Sequence, residues 1–342
     1  MNASAQPELE TFSLQALYLQ LCRNPNPYDR KRGAVQPIFK GRALAWLLLL
    51  PTLLILLVFI YYPLVQAVVS SLYRSNLFLG TRVFVGLEYY RSLFVGTFAP
   101  AYIQALVQTF VFALLIVVFG LLLSLGVAVL ANQDVRGARV YRVLLIWPFA
   151  LSPAVAGTIF LFAFSPQVGI INEFLGAVFS VRPRWLDTPP LTFGLVTAAA
   201  IWKNLGYNVV FYLAALRNIP HELGEAAQLD GAGPLARFWR VTFPLLSPMT
   251  FFLVFTNLTF AFFDSFGLID VMTRGGPVGA APLDETGVTT TLIYKIFQDG
   301  FSGTGNLGFA AAQSVMLLLL VAGIVLLQFR FGSRRVYYGG DA

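Results

Sequence analysis

Long apolar runs separated by short polar stretches are the dominant pattern of this chain. Six of the runs are longer than the roughly 18 residues that indicate a membrane-spanning helix. The longest of them must tilt, kink or protrude from the bilayer. The pattern therefore predicts an all-α, polytopic membrane protein with six transmembrane helices, at 43–69, 101–131, 140–164, 191–216, 243–264 and 305–330.

The polar segments divide the chain into three parts. Residues 1–42 are predicted to form a cytoplasmic N-terminal extension, and residues 331–342 a cytoplasmic C-terminal tail. Between them, 43–330 forms the six-helix transmembrane domain, which has one long polar interruption at 217–241. The first apolar run begins too late in the chain, and is too long, for a cleavable signal peptide.

Composition agrees with a membrane protein. Hydrophobic residues make up 57% of the chain and charged residues 11%, against about 25% charged residues in a typical soluble domain. The net charge of +7 does not indicate nucleic-acid binding, because no basic stripe with interleaved aromatic residues occurs.

The distribution of basic residues predicts the orientation. The two termini together with Arg330 at the end of the last span, the 132–142 turn and the 217–242 loop contain 15 of the 23 Lys and Arg residues, and the other loops contain seven. Basic residues accumulate on the cytoplasmic side of a membrane protein. Both termini and the polar interruption are therefore predicted to be cytoplasmic.

The polar interruption at 217–241 has the pattern of two short helices. Pro220 suits the first turn of a helix, and Glu222 places negative charge near its positive end. Gly231 can adopt a positive φ and break the helix, after which Pro234 can begin a second one. Each helix would have about ten residues or fewer, less than the roughly 12–15 that are stable alone in water. The pair therefore needs a surface to dock against.

The spacing within this interruption resembles the EAA loop of ABC importer permeases. The family pattern is EAA, three residues, G, nine residues, I, one residue, LP. This chain has Glu225-Ala226-Ala227, Gly231, Val241 and Phe243-Pro244 at those positions. In that family the loop is a coupling helix that binds a groove of the cytoplasmic ATPase. The resemblance implies a role in ATPase docking for Glu225, Ala226, Ala227, Asp230 and Gly231. The alternative is an amphipathic loop that lies on the membrane surface.

The resemblance covers about residues 43–338 and is strongest from Trp202 to Tyr338. The chain is identified as a member of the binding-protein-dependent, maltose-type ABC importer permeases, and its runs FFDSF and TTTLIYKIFQDGF are similar to those of glycerol-3-phosphate importers. The resemblance implies a MetI-like permease fold in the bacterial inner membrane. It also implies a second homologous permease subunit, two ATPase subunits and an extracytoplasmic substrate-binding protein as partners. ATP and Mg²⁺ would be bound by the ATPase subunits, and no cofactor by this chain.

Lys203 lies near the centre of the predicted fourth span. A lysine at that depth costs roughly 2.5–3.5 kcal/mol on insertion scales, so it must face a partner or a water-filled cavity. It either contacts an anionic group of a substrate or forms a structural pair with a carboxylate of another helix, for which Asp264 is the candidate. In maltose-type relatives, substrate contacts come from the corresponding fourth and fifth spans. The resemblance therefore implies a substrate pathway that contains Lys203, Asn204, Tyr207, Phe262 and Ser265.

Residues for catalysis or metal binding are scarce. The sequence has no GxxxxGK[ST] phosphate-binding loop and no GxSxG motif, and its only His and Cys residues are His221 and Cys22. A metal site usually needs more such ligands. We therefore expect no catalytic residue, no metal site, and a transporter subunit rather than an enzyme.

The intramembrane lysine suits a phosphate ester as the transported molecule. The attraction between one lysine and one phosphate charge is about 4 kcal/mol at 4 Å with an effective dielectric constant of 20, which offsets the insertion cost. We therefore expect import of glycerol 3-phosphate or a related glycerophosphodiester. Two alternatives remain open. One is an importer of a neutral mono- or oligosaccharide with the same architecture. The other is an ion-coupled secondary carrier, for which Asp264 is the only candidate carboxylate.

Overall fold

The computed structural model describes residues 42–76, 81–133, 138–302 and 305–332. The predicted N-terminal extension up to residue 41, and the predicted tail from residue 333, lie outside these residues. Helices dominate the described part of the chain. The chain divides into two units, Met1–Pro63 and Leu64–Ala342, so the boundary falls inside the first predicted span.

The first predicted span is helical. It consists of α1 (Arg42–Leu56), a π-helical turn (Leu57–Tyr61) and α2 (Tyr62–Ser70). The N–H of Tyr62 bonds to the carbonyl of Leu57, five residues back, directly before Pro63, which has no amide hydrogen to donate. The stretch Trp46–Ser70 is long and apolar enough to cross a membrane.

A β-hairpin follows, which the all-α prediction does not include. Strands β1 (Tyr73–Asn76) and β2 (Thr81–Phe84) are antiparallel, and Tyr73 lies opposite Phe84. The two rings are 5.3 Å apart in an edge-to-face arrangement, a geometry that aromatic pairs prefer. The short helix α3 (Glu88–Ser92) comes next. Arg74 and Glu88 form an ion pair at 2.6 Å, which joins the hairpin to α3.

Two long helices form the centre of the second unit. They are α4 (Ala99–Ala131) and α8 (Pro189–Arg217), which pack against each other. Both contribute buried alanines, and small side chains let two helix backbones approach closely. Helix α8 has 29 residues, but Lys203, Asn204 and Asn208 make its middle polar. It is therefore not among the helices that are apolar enough to span a membrane alone.

The third and fifth predicted spans are broken helices. Helices α5 (Ala138–Ala150) and α6 (Pro153–Ala163) form the third, with a bend of 105°. Ser152 caps α6, since the N–H of Val155 donates to Ser152 Oγ at 3.3 Å. The fifth consists of Pro234–Leu245 and Ser247–Asp264, with a bend of 66°. Its parts are α10 (Pro234–Arg237), a π-helical turn (Phe238–Thr242), α11 (Phe243–Leu245), α12 (Ser247–Thr259) and a second π-helical turn (Phe260–Asp264).

The prediction of six spans is met only in part. In the described part of the chain, three helices are long and apolar enough to cross a membrane, and up to five if each bent pair counts as one span. The predicted span that is not apolar enough to be among these five is the fourth, 191–216. It is helical over more than its predicted length, but its polar centre lowers its hydropathy.

Segments that the pattern leaves as loops contain further helices. These are α7 (Ile170–Phe179), α13 (Phe266–Met272) and α14 (Leu292–Phe301), and the last span is α15 (Leu307–Gly332). The polar run Thr289–Thr291 is buried. Gly276 has a φ of +80°, and a Cβ at this position would lie 2.7 Å from Thr289 Oγ1. The turn at Gly276 therefore packs directly on the threonines.

We predict that Gly206→Ala loosens the contact between α5 and α8. A Cβ at Gly206 would clash with the carbonyl oxygen of Leu145 and lie 2.8 Å from Ile146 Cα, so a backbone must move. Overpacking of this kind costs about 1–3 kcal/mol, and thermal unfolding of the purified protein should show the loss. Gly194→Ala on the same helix is the control, because nothing lies within 4 Å of that position. Equal unfolding temperatures for the two variants would contradict the close contact.

Candidate functional site

The EAA loop (residues 217–242) contains the two helices that the sequence predicts. The first, α9 (His221–Leu229), begins after Pro220 and has no buried residue. The second begins at Pro234 but runs on through a π-helical turn into α11, so it is longer than predicted and leads into the next span. Leu229 is 89% exposed and Leu235 is 71% exposed. Both large apolar side chains are therefore left uncovered by the rest of the described chain.

Backbone hydrogen bonds close the turn between α9 and α10 in a Schellman motif. The N–H of Ala232 donates to the carbonyl of Ala227 at 2.9 Å, and the N–H of Gly231 to that of Gln228 at 3.0 Å. Gly231 has a φ of +80°, which glycine adopts without the steric penalty of a side chain. The predicted helix break at Gly231 is therefore confirmed. This glycine fixes the direction in which the chain leaves α9.

The predicted docking residues lie together on α9 and its C-terminal cap. Most of them are exposed, and one is partly covered. The exposed residues are Glu225, Ala226, Asp230 and Gly231, and the partly buried one is Ala227. The arrangement offers these side chains to a partner, and the docking role itself stays a prediction.

The second candidate site surrounds Lys203. Its Nζ lies 3.1 Å from Asp264 Oδ2, at the end of the π-helical turn Phe260–Asp264. The two side chains differ in exposure, since that of Lys203 is 8% exposed and that of Asp264 is 44% exposed. Nζ also lies 5.6 Å from the centre of the Phe149 ring, within the range of a cation–π contact. The structural pairing, one of the two interpretations of Lys203, is thus present, and contact with a substrate stays a prediction.

Aromatic side chains from three elements meet beside this ion pair. We call Phe149, Tyr207, Phe211 and Phe260 the aromatic cluster. The centre of the Tyr207 ring lies 4.9 Å from the ring centre of Phe149, 4.7 Å from that of Phe211 and 5.5 Å from that of Phe260. All four side chains are partly buried, so part of the cluster's surface is exposed. Tyr207 is one turn after Lys203 on α8, which places both on one face.

The other predicted pathway residues do not join this face. Phe262 is buried and its ring packs on Phe110 at 5.9 Å. Ser265 is buried and donates to the carbonyl of Ala261 at 3.0 Å. Asn204 is also buried, and its Oδ1 has no hydrogen-bond partner among the described residues. The structure therefore brings together two of the five, Lys203 and Tyr207.

A buried amide pair links α8 to α12 and is absent from the predicted set. Asn208 Nδ2 donates to Asn257 Oδ1 at 3.1 Å, and Asn257 Nδ2 donates to Asn208 Oδ1 at 2.7 Å. Both side chains are buried. Asparagines in the middle of apolar runs are the sequence signal for such a pair, because an amide in a span needs a partner. In the described part of the chain, no three His, Cys, Asp or Glu residues lie close enough together to hold a metal ion.

Comparison with known proteins gives the class of this fold and these sites. Residues 120–336 match the family described as binding-protein-dependent transport system inner membrane component. The chain belongs to this family, and is therefore a component of a transporter rather than an enzyme.

Particular relatives include two sn-glycerol-3-phosphate transport system permease proteins, both called UgpA. That of Pectobacterium atrosepticum is 42% identical over 303 residues, which cover 89% of this chain and 98% of the relative. That of Escherichia coli is 41% identical over 303 residues, with the same coverage.

A solved structure supports the fold. A chain in the crystal structure of a bacterial alginate ABC transporter, in complex with an alginate pentasaccharide-bound periplasmic protein, superposes with a TM-score of 0.71 at 22% identity. The match covers 85% of this chain and 94% of that chain. This chain thus has the MetI-like fold of ABC importer permeases.

We predict that Gly231→Ala opens the turn after α9. A side chain in the left-handed conformation costs roughly 1–2 kcal/mol, so amide hydrogen exchange in α9 should accelerate about 5- to 30-fold. Gly231→Asn should accelerate it less, because asparagine tolerates this conformation better. Gly233→Ala is the control, since Gly233 has a negative φ and nothing within 4 Å. Wild-type exchange rates in Gly231→Ala would contradict the role of this glycine.

Proposed function

We propose that the chain is a transmembrane permease subunit of an ATP-driven, binding-protein-dependent ABC importer for glycerol 3-phosphate or a related glycerophosphodiester. The names of relatives at 41–42% identity over nearly their full length support this substrate. In the proposal, a second homologous permease subunit completes the pathway. Two ATPase subunits bind ATP and Mg²⁺, an extracytoplasmic binding protein delivers the substrate, and this chain binds no cofactor.

The proposal includes six spans, with both termini on the cytoplasmic side. Each bent pair counts as one span. Helix α8 counts as the sixth because its polar residues are covered by neighbouring helices rather than by lipid. The excess of basic residues at the termini and in the EAA loop supports this orientation.

The EAA loop is the proposed connection to the ATPase. Helix α9 is exposed, and the Schellman turn holds it at a set angle to the segment Pro234–Leu245. That segment continues into Ser247–Asp264, which ends beside Lys203. A displacement of α9 by the ATPase therefore reaches the proposed substrate face along one continuous stretch of chain.

The single observation that carries the phosphate assignment is the unequal exposure of the Lys203–Asp264 pair. A buried lysine without a counter-charge is strongly unfavourable, so its ammonium must always keep an anionic partner. Its present partner is half-exposed and can turn toward solvent. A phosphate that approaches from that side can replace the carboxylate, and Lys203 is never left unpaired. The pair then acts as an exchange site that binds anions and does not strengthen the binding of a neutral molecule.

The neutral-sugar importer has one observation in its favour. Lys203 is already satisfied by Asp264 at 3.1 Å, so it needs no substrate to be stable. In that case the aromatic cluster alone would contact the substrate, and the ion pair would only join α8 to the end of the fifth span.

We predict that Lys203→Met/Asp264→Asn lowers glycerol 3-phosphate uptake by the assembled importer about tenfold to hundredfold. The range corresponds to loss of one hydrogen bond to a charged group, about 1.5–3 kcal/mol. The double variant should assemble because it leaves no buried charge unpaired. Asp264→Asn alone should make uptake more sensitive to inorganic phosphate, because Lys203 then has lost its internal partner.

A matched control is the second buried ion pair of the chain's described part. Lys295 Nζ lies 3.0 Å from Asp299 Oδ2 on α14, and the Lys295 side chain is as buried as that of Lys203. Lys295→Met/Asp299→Asn should keep phosphate-ester uptake. Full uptake of glycerol 3-phosphate in the Lys203 double variant would contradict the exchange site, whereas a wild-type importer that takes up a neutral sugar but no glycerol 3-phosphate would support the neutral-sugar importer.

We predict that Glu225→Lys uncouples or releases the ATPase. Glu225 is exposed on α9, where charge reversal disturbs an interface but no internal contact. Copurification of the ATPase and substrate-stimulated ATP hydrolysis should both fall. Glu222→Lys, one turn earlier on the same exposed helix, controls for the changed charge of α9. Normal coupled hydrolysis in Glu225→Lys would contradict the docking assignment.

A further inference from the structure

The segment Pro234–Leu245, which leads from the EAA loop into the fifth span, leaves a row of large apolar side chains uncovered. Leu235, Trp239 and Phe243 are 71%, 53% and 36% exposed. They follow one another at four-residue intervals, close to the repeat of a helix, so they lie on one side of the segment. We call these three residues the apolar stripe. Water would be an unfavourable surrounding for all three side chains.

The apolar stripe and α9 are on opposite sides of this segment. A Cβ at Gly224 of α9 would lie 3.8 Å from Arg237 Cδ, so the stem of Arg237 lies against α9. Arg237 is two residues from both Leu235 and Trp239, which is about 200° around a helix. Helix α9 is the proposed ATPase-docking element, so a partner on α9 approaches from the side away from the stripe.

The stripe continues the surface of the fifth span. Phe243 is the first residue of the predicted span 243–264, and the ring centre of Trp239 lies 5.1 Å from that of Phe243. Leu235 is one further turn away from the span. Spans tilt by about 20° on average from the bilayer normal, and the segment bends by 66° away from Ser247–Asp264. The segment therefore lies nearer to the membrane plane than to the normal, where the span enters the bilayer.

The charge of the segment suits an anionic surface. Residues 234–245 contain two arginines and no Asp or Glu. Arg240, next to Trp239, is exposed and takes part in none of the ion pairs of the chain's described part. Tryptophan and basic residues are typical of the boundary between headgroups and acyl chains. Anionic lipids of the cytoplasmic leaflet are therefore the partner that fits both the apolar stripe and the charge.

We propose that Pro234–Leu245 is an interfacial helix. Leu235 and Trp239 lie at the boundary between headgroups and acyl chains of the cytoplasmic leaflet, and Arg240 lies among the headgroup phosphates. The bilayer then supports the segment on one side, while the ATPase acts on α9 from the other side. The choice of leaflet rests on the proposed cytoplasmic side of the EAA loop, and the insertion itself does not. Neither depends on the transported molecule.

The test is the depth of a nitroxide spin label on the assembled importer in lipid nanodiscs that contain phosphatidylglycerol. Cys22 is the only cysteine of the chain, so Cys22→Ser is the background. Leu235→Cys carries the label, and Leu229→Cys is the matched control, because Leu229 is also largely exposed but lies on α9. Collisions with oxygen, which dissolves in lipid, are compared with collisions with a neutral nickel chelate, which stays in water. We expect the label at position 235 to lie about 5–10 Å into the boundary between headgroups and acyl chains.

Removal of the ATPase separates a lipid partner from a protein partner. The label at position 235 should keep its depth, whereas the label at 229 should become more accessible to the nickel chelate. Three results would overturn the proposal. Equal access of the chelate to both positions would leave the stripe in water, exposure of 235 only after removal would assign the stripe to the ATPase, and a depth near the bilayer centre would make the segment part of the span. No change at 229 would contradict the docking of α9, and a label at 235 in lipid would still support the interfacial helix.

Arg240→Gln tests the contact with the headgroups. In the wild type, the label at position 235 should lie deeper with phosphatidylglycerol than with phosphatidylcholine alone, and Arg240→Gln should remove this difference. Arg330→Gln, which removes an exposed arginine near the end of α15, should keep it. An equal loss in both variants would indicate general surface charge and overturn the role of Arg240. Reaction of Leu229→Cys with an impermeant thiol reagent outside intact cells would overturn the choice of leaflet.

Discussion

The polar centre of α8 is the constraint on which the rest of the structure depends. Lys203, Asn204 and Asn208 lie in the middle of a 29-residue helix, where exposure to lipid would be strongly unfavourable. Other helices must therefore surround α8. Helix α4 covers one side through buried alanines, α5 approaches at Gly206, and the fifth span supplies the polar partners. A helix too polar to qualify as a span alone thus organises the spans around it.

The fifth span meets α8 through two polar contacts with different properties. The amides of Asn208 and Asn257 are both buried and bond to each other in both directions, and Asn257 Nδ2 also donates to the carbonyl of Leu253, so this contact is closed to solvent. The ion pair of Lys203 and Asp264 is buried on one side and half-exposed on the other. One contact therefore holds the helices in register, and the other is the one at which we propose that a phosphate replaces the carboxylate.

Local sequence signals predict much of the fold. The features that depend on contacts between distant segments of the chain are not predicted from sequence. The break at Gly231 follows from the backbone freedom of glycine, and apolar runs locate the long helices of the predicted spans. They do not locate α7, α13 and α14, which lie in segments predicted as loops. The hairpin is not predicted because its strands have four residues each, too few for alternation to stand out. Phe149 and Phe260 lie in runs where most neighbours are also apolar, so only the tertiary packing shows that they belong to the aromatic cluster. Asp264 is predictable as a partner of Lys203, because a charge inside a span requires one.

The bend in the fifth span has a mechanical consequence. Its two arms, Pro234–Leu245 and Ser247–Asp264, meet at the buried residue Leu246, so the junction can serve as a fulcrum. The longer arm has 18 residues and measures about 27 Å at the rise of an α-helix. A rotation of about 5° at the fulcrum then moves the far tip by about 2 Å over that length. Such a lever would separate the Asp264 carboxylate from an ammonium 3.1 Å away, so a small rotation of the Pro234–Leu245 arm is enough to break the ion pair of Lys203 and Asp264.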